Sequence, residues 1–383
     1  MRRKEPAPGL VTVKELVTEQ LLMIVKVRTG SGKGRADDAE WKVTCDIEGY
    51  RTGMRLLCQY GFPRAPRGYT AAGETIRRIR ETAYEIGYIR NSLASSLRSG
   101  KSNIIAIVIE DLQNQHYSHL LDLLSIYLTQ NGYRSMILTS RNALDTNAQT
   151  AETLSSAVDY AVAHFVDGVL LFPNLDSAGS AETLQRNRIP FVLIDREIEG
   201  VSADVVRLDD YEGGRIAAEK FLEAGHRKLV YMAGPVDNGS QYLREKGFFD
   251  VLREHGISRE QVLVLPHHVV MRSIKTHELD ELLFPVEYTG IFAFNDQIAY
   301  YVLNCLRENG IRIPEDVSVI GFDNIRSQYP YLVPLSSIGE EKENEIAKEA
   351  VRLLLRRIEE PAADPCSIIL PVRYYEGGTL SAV

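Results

Sequence analysis

The sequence predicts an α/β protein: two doubly wound parallel-sheet lobes with a cleft between them, preceded by a small helical segment. Three observations predict it. From Ile104 onward, short apolar runs rich in β-formers alternate with stretches of helical periodicity. That alternation runs through twice, starting afresh near Val205. Between Ile291 and Asn324 it takes its clearest form, strand, helix, strand: a parallel βαβ unit.

The N-terminal 70 residues carry the weakest pattern. Val11-Thr-Val-Lys-Glu-Leu16 opens a first helix with Thr12 as its cap, and Gly30-Ser-Gly-Lys-Gly34 with the polar run to Glu40 reads as loop. These glycines lack the G-x-x-x-x-G-K-[ST] spacing of a phosphate loop, and Gly100-Lys101-Ser102 lacks it too. From Glu74, Ile76, Ile79, Ala83 and Ile86 mark one apolar helix face closed by Gly87, with Arg77, Arg78 and Arg80 mostly off it. Leu93, Ala94 and Leu97 then share one side of a helix too short to be stable alone.

The core follows in order. Ile104–Ile109 is a strand, His119–Asn131 a helix and Ser135–Thr139 a strand. Val158–Phe165 lies on a helix, and Gly168–Phe172 and Phe191–Ile194 are strands. In the second series Gly213–Ala224 is helical, Leu229–Ala233 a strand, Arg244–Glu254 a helix and Val262–Leu265 a strand. Ile291–Phe294 is a strand that Asn295-Asp296 ends by capping the next helix. Ile298, Val302 and Leu306 give that helix an apolar face, and Asn309-Gly310 closes it. Val317–Phe322 is a strand, Glu343–Ile358 a helix, and Ile368–Tyr375 a pair of β segments.

In open parallel sheets, ligands gather beyond the carboxyl ends of the strands. Asp111, Asp195, Asp296 and Asp323 all fall there, and Arg244 begins a helix of the second lobe. Carboxylates accept hydroxyl hydrogens and a guanidinium donates a fork of them, a set suited to a polyhydroxylated ring. Tyr117 and Phe294 are candidates for its apolar faces.

Composition bounds the rest. A formal net charge of −8 puts any nucleic-acid contact in a local basic patch. The four cysteines form no C-x-x-C pair, which fits free thiols in a reducing cytoplasm. Leu21–Val25 is too short for a signal sequence or a membrane span, so the protein is expected in the cytoplasm. No G-x-S-x-G elbow, metal spacing or cofactor motif is present, and His267-His268 reads as a loop pair. The expectation is a non-enzyme without metal or cofactor.

Four stretches carry a family resemblance. FAFNDQIAYYVLNCLRENGIRIPEDVSVIGFDNI resembles the signature of LacI/GalR-type bacterial transcription repressors. VRLDDYEGGRIAAEKFLEAGHRKLVYMAGP and LREKGFFDVLREHGI are similar to that family's D-N-x-x-G-G and R-x-x-G-F blocks. ETAYEIGYIRNSLASSLRSGKSNIIAIVIEDLQNQHYS looks like the end of its headpiece, its hinge helix and its first core strand.

The resemblance implies a periplasmic-binding-protein-like type I core behind a DNA-binding headpiece at 1–90 and a hinge at 91–102. Lobe 1 would take 103–202 plus 327–361 and lobe 2 would take 203–326 plus 362–383, the chain crossing near 202, 326 and 362. Asp195, Arg244 and Asp296 match effector-contacting positions, and His116 and Tyr117 fall where first-lobe contacts lie. Asp323, Asp111 and Phe294 complete the expected site. In such repressors the paired hinge helices enter the minor groove and a leucine wedges a base step apart. Leu97 matches that leucine, beside Ala94 and near Asn91, with Arg90, Arg98 and Lys101 placed for phosphates.

The implied partners are operator DNA, a sugar-like effector and a second copy of the chain. One departure stands. Val11–Leu16 matches the start of the family's helix-turn-helix, but residues 17–70 contain no recognisable reading helix. Divergence, an insertion or a shifted reading frame would each account for it. A sensor that binds sugar but has lost DNA binding is therefore the alternative function.

Overall fold

The computed structural model describes residues 25–28, 42–45, 100–110, 112, 114–139, 154–173, 177–235, 239–325, 334–342 and 344–383. The hinge residues Arg90, Asn91, Ala94, Leu97 and Arg98, and Asp111 of the expected site, lie outside them. Lys101 lies within them and is exposed. The chain divides into two compact units, 1–90 and 91–383.

In the first unit the described residues are two strands, β1 (Val25–Arg28) and β2 (Lys42–Cys45), paired antiparallel with Val25 opposite Cys45. A helical headpiece was expected over 1–90, with 17–70 unrecognisable and 30–40 as loop, and no strand was foreseen. Val25, Val27, Val43 and Thr44 are β-branched and favour the extended chain.

The second unit is built on two six-stranded sheets. The first contains β3 (Ile104–Ile109), β4 (Arg134–Thr139), β5 (Gly168–Leu171), β6 (Phe191–Ile194), β7 (Asp204–Leu208) and β13 (Ser367–Leu370). All its pairings are parallel, in the order β13-β7-β6-β5-β3-β4. The second contains β8 (Leu229–Met232), β9 (Leu263–Leu265), β10 (Gly290–Ala293), β11 (Ser318–Phe322), β12 (Ser336–Glu340) and β14 (Val372–Tyr375). Only β14, against β12, runs antiparallel there. Central strands such as β5, β6, β8 and β10 are buried along their length, as expected of parallel strands covered on both faces.

The helices are α1 (Gln115–Gln130), α2 (Leu154–Ala163), α3 (Ser177–Arg186), α4 (Asp210–Glu223), α5 (Gly239–Glu254), α6 (His267–Thr276), α7 (Leu279–Leu283), α8 (Asp296–Glu308) and α9 (Glu345–Glu359). Asn295 caps α8 as its sequence suggested, its side chain accepting the Ile298 N–H at 3.0 Å. His267 and His268, expected in a loop, open α6 directly after Pro266. Proline supplies the fixed φ that suits a helix start.

Strand pairing puts the three crossings between lobes later than 202, 326 and 362. β7 pairs with β6, so the chain leaves lobe 1 only after Leu208. β12 pairs with β11 in lobe 2, so it returns only after Glu340. β13 still belongs to lobe 1, and Pro371 is the last crossing. Charge fixes this arrangement. The buried Asp204 carboxylate accepts from Arg356 at 3.1 Å, Arg357 at 2.8 Å and the Cys366 N–H at 2.8 Å, tying α9 and β13 to β7. The crossing segments lie side by side, with Asp209 N–H donating to Leu370 O and Glu341 N–H to Pro371 O, each at 2.9 Å.

Candidate functional site

A cleft of about 420 Å³, part of it open to solvent, lies where the carboxyl ends of the two sheets face each other. Lobe 1 contributes Asn114, His116 and Tyr117 after β3, Asp195 after β6 and Leu208 at the end of β7. Lobe 2 contributes Asp210, Ser240, Arg244, Phe294, Asn295 and Asp323. The last three follow β10 and β11 directly, at the strand ends where the topology gathers ligands.

Arg244 is the centre of the lobe 2 wall. It sits within α5 rather than at its start and is 6% exposed. Nε donates to Asp210 Oδ1 at 2.8 Å and Nη1 to the Phe294 carbonyl at 2.7 Å. Its guanidinium lies 3.5 Å from the Phe322 ring centroid and 4.7 Å from that of Phe294. Burial works against its charge, but Asp210 and Asp323 outweigh it, and the guanidinium is held above its usual range.

Two glycines make this placement possible. A Cβ on Gly214 would lie 2.0 Å from Arg244 O, and one on Gly247 2.0 Å from Tyr211 O. Only without side chains at both points do α4 and α5 approach closely enough to bring Arg244 onto Asp210.

The carboxylates are strained and poorly solvated. Asp195 has φ 74° and Asp323 has φ 100°, both in the left-handed region. Such residues cost about 1–3 kcal/mol each and gather at functional sites. Burial raises the Asp195 carboxyl, opposed by His116 and by the Tyr117 hydroxyl it bonds. Burial pushes Asp323 up to about 7, against the pull of Arg244. Burial lowers the His116 imidazole and lifts the Tyr117 phenol well above its normal range. Tyr117 is held edge-on to Phe172 at 5.5 Å.

A pH dependence follows. In the unfolded chain Asp323 titrates at about 4; in the fold it titrates near 7. Its contribution to stability is present below the unfolded value and lost as pH rises through the folded one. Thermal unfolding of the unliganded protein should therefore show falling stability between about pH 4 and 7, with a shallower slope in Asp323→Asn. An unchanged slope would show that Asp323 is not the buried acid inferred here.

Of the expected residues, the cleft gathers Asp195, Arg244, Tyr117, His116, Asp323 and Phe294. Asp296 is a correction: it does not line the cleft. It is fully buried inside lobe 2, where it accepts the Ile325 N–H at 2.8 Å and the Ser337 hydroxyl at 2.6 Å. Its neighbour Asn295 lines the cleft in its place. Sequence reasoning also missed Asn114, Leu208, Asp210 and Ser240. Asp210 alone left a signal, as the second acid of the Asp209-Asp210 pair just past a strand.

Residues 218–380 match the family described as periplasmic binding protein-like domain. The chain is 26% identical over 295 residues to the HTH-type transcriptional repressor PurR of Vibrio atlanticus, across 76% of this chain and 84% of that protein. It is 27% identical over 270 residues to the HTH-type transcriptional regulator DegA of Bacillus subtilis, across 70% of this chain and 78% of the relative. A solved LacI family transcriptional regulator from Enterococcus faecium, with bound ribose, superposes at TM-score 0.63 with 26% identity, over 73% of this chain and 99% of that one. All three are transcriptional regulators.

Proposed function

We propose that this chain, a LacI/GalR-family regulator by its core, is a transcriptional repressor that answers to a small polar effector, a sugar. The observation that carries the reading is the two-walled cleft, with Asp195 and Tyr117 facing Arg244 and Asp323 from the opposite lobe. A polyhydroxylated ring between them would bond to both walls and draw them together. The three crossing segments form the hinge, and closure about it would alter how two lobe 1 surfaces meet in a homodimer. Operator DNA gripped by the paired hinge segments would then feel the effector, a coupling of about 1–3 kcal/mol in typical cases. The relative with bound ribose supports a sugar, and the sequence resemblance supports the DNA arm. A cytoplasmic location fits, and no helix among the described residues is long and apolar enough to cross a membrane.

The test is selection of the full-length protein against random duplexes, with and without a sugar panel. We expect a pseudo-palindromic site whose affinity falls with salt and shifts roughly 5–150-fold with the active sugar. Absence of any salt-dependent duplex binding in every effector state would refute the repressor reading. Leu97→Ala should weaken operator binding and leave effector affinity unchanged, measured by fluorescence anisotropy and calorimetry. Equal loss of both would remove Leu97 from the groove.

The second reading, a sensor without a DNA grip, is favoured by one observation: β1 and β2 stand where a reading helix was sought. Protection of residues 1–102 from proteolysis, with helical circular dichroism, would count against it.

A further inference from the structure

The cleft holds more hydrogen-bond acceptors than positive charge to answer them. Among the described residues that line it, Asp195, Asp210 and Asp323 surround one guanidinium, that of Arg244, and Arg196, next in sequence to Asp195, is not among them. Arg244 is largely committed, with Nε on Asp210 and Nη1 on the Phe294 carbonyl. Nη2 remains, 3.8 Å from Asp323 Oδ1, too far for a direct hydrogen bond. His116 adds no cation, because burial lowers its imidazole. Its Nδ1 is buried without a hydrogen-bond partner.

We infer that the cleft selects neutral hydroxylated ligands and rejects their phosphorylated or acidic counterparts. The inference rests on the sugar reading above and narrows it. A hydroxyl set between Arg244 Nη2 and Asp323 accepts from one and donates to the other. Such chains of hydrogen bonds strengthen one another. Above the value of about 7 at which it titrates, the Asp323 carboxylate can only accept, and a phosphate dianion has no hydrogen to give it. Phosphate would satisfy Nη2 but, once Asp323 is ionised above about pH 7, would face it as a like charge, away from bulk water. Arg244, already bonded to Asp210 through Nε and to the Phe294 carbonyl through Nη1, offers a phosphate chiefly Nη2.

Calorimetry on the full-length protein at about pH 8, above the Asp323 titration, tests this with matched pairs: ribose with ribose 5-phosphate, glucose with glucose 6-phosphate, glucose with gluconate. We expect at least one neutral sugar to bind, and its charged partner to bind at least ten-fold more weakly. Asp323→Asn, checked for folding by circular dichroism, should narrow that gap by weakening the neutral sugar. A charged partner that binds as tightly as its parent would overturn the selection while leaving a sugar site standing. If no sugar of either kind binds, whether or not another class such as purine bases does, the sugar reading falls and the selection with it.

Discussion

Arg244→Ala should lose effector response and destabilise the core by about 3–5 kcal/mol, the usual penalty for orphaning one partner of a buried ion pair. Both effects trace to the same contacts. Asp210 is left with no donor at 2.8 Å, and the Phe294 carbonyl loses its partner. Denaturant unfolding reads the first effect and sugar-dependent change in DNA affinity reads the second. The two separate in the double variant. Asp210→Ala added to Arg244→Ala removes the orphaned carboxylate and should recover part of the stability, but none of the response. Arg244→Lys keeps the charge without the planar fork that bonds Asp210 and the Phe294 carbonyl together, and should fall between. A wild-type response in Arg244→Ala would take Arg244 out of the site.

The frame of this protein was legible because apolar runs and helical periodicity alternate at lengths that admit few other folds. Strand ends followed at once, and with them Asp195, Asp323 and Phe294; the placing of His116 and Tyr117 as first-lobe contacts came from the family resemblance. What the sequence could not resolve is which of two adjacent polar residues turns toward the cleft. At the end of β10 the capping residue, Asn295, lines it and the next, Asp296, turns inward to Ser337. Past β7 the order reverses. Asp209 caps α4 through the Glu212 N–H at 3.0 Å, and the next residue, Asp210, meets Arg244. A side chain's heading at a helix start depends on how the helix leaves the sheet, which local pattern does not encode. The crossings slipped for a related reason. β7, β12 and β13 are claimed by sheets through pairing partners distant in sequence, and Asp204 holds its arginines from more than 150 residues away.

The α4–α5 contact offers a test in which helix propensity and packing predict opposite signs. Replacing a glycine inside a helix by alanine normally stabilises by about 1 kcal/mol. Gly179→Ala, in α3, should do so, because a Cβ there meets nothing within 4 Å. Gly247→Ala should do the reverse. Its Cβ would sit 2.0 Å from Tyr211 O and 3.0 Å from Arg215 N, both backbone atoms of α4 that cannot rotate away. The helices must part, and overpacking of this kind costs about 1–3 kcal/mol, more where backbone is the obstacle. Parting them also draws Arg244, one turn before Gly247, off Asp210. Gly247→Ala should therefore weaken sugar binding as well as fold stability, although Gly247 lines no part of the cleft. Paired chemical denaturation and sugar calorimetry on the two alanine variants measure both quantities. If Gly247→Ala kept full sugar affinity while losing stability, the glycine contact would serve the fold alone. The placement of Arg244 would then owe nothing to the close approach of the helices.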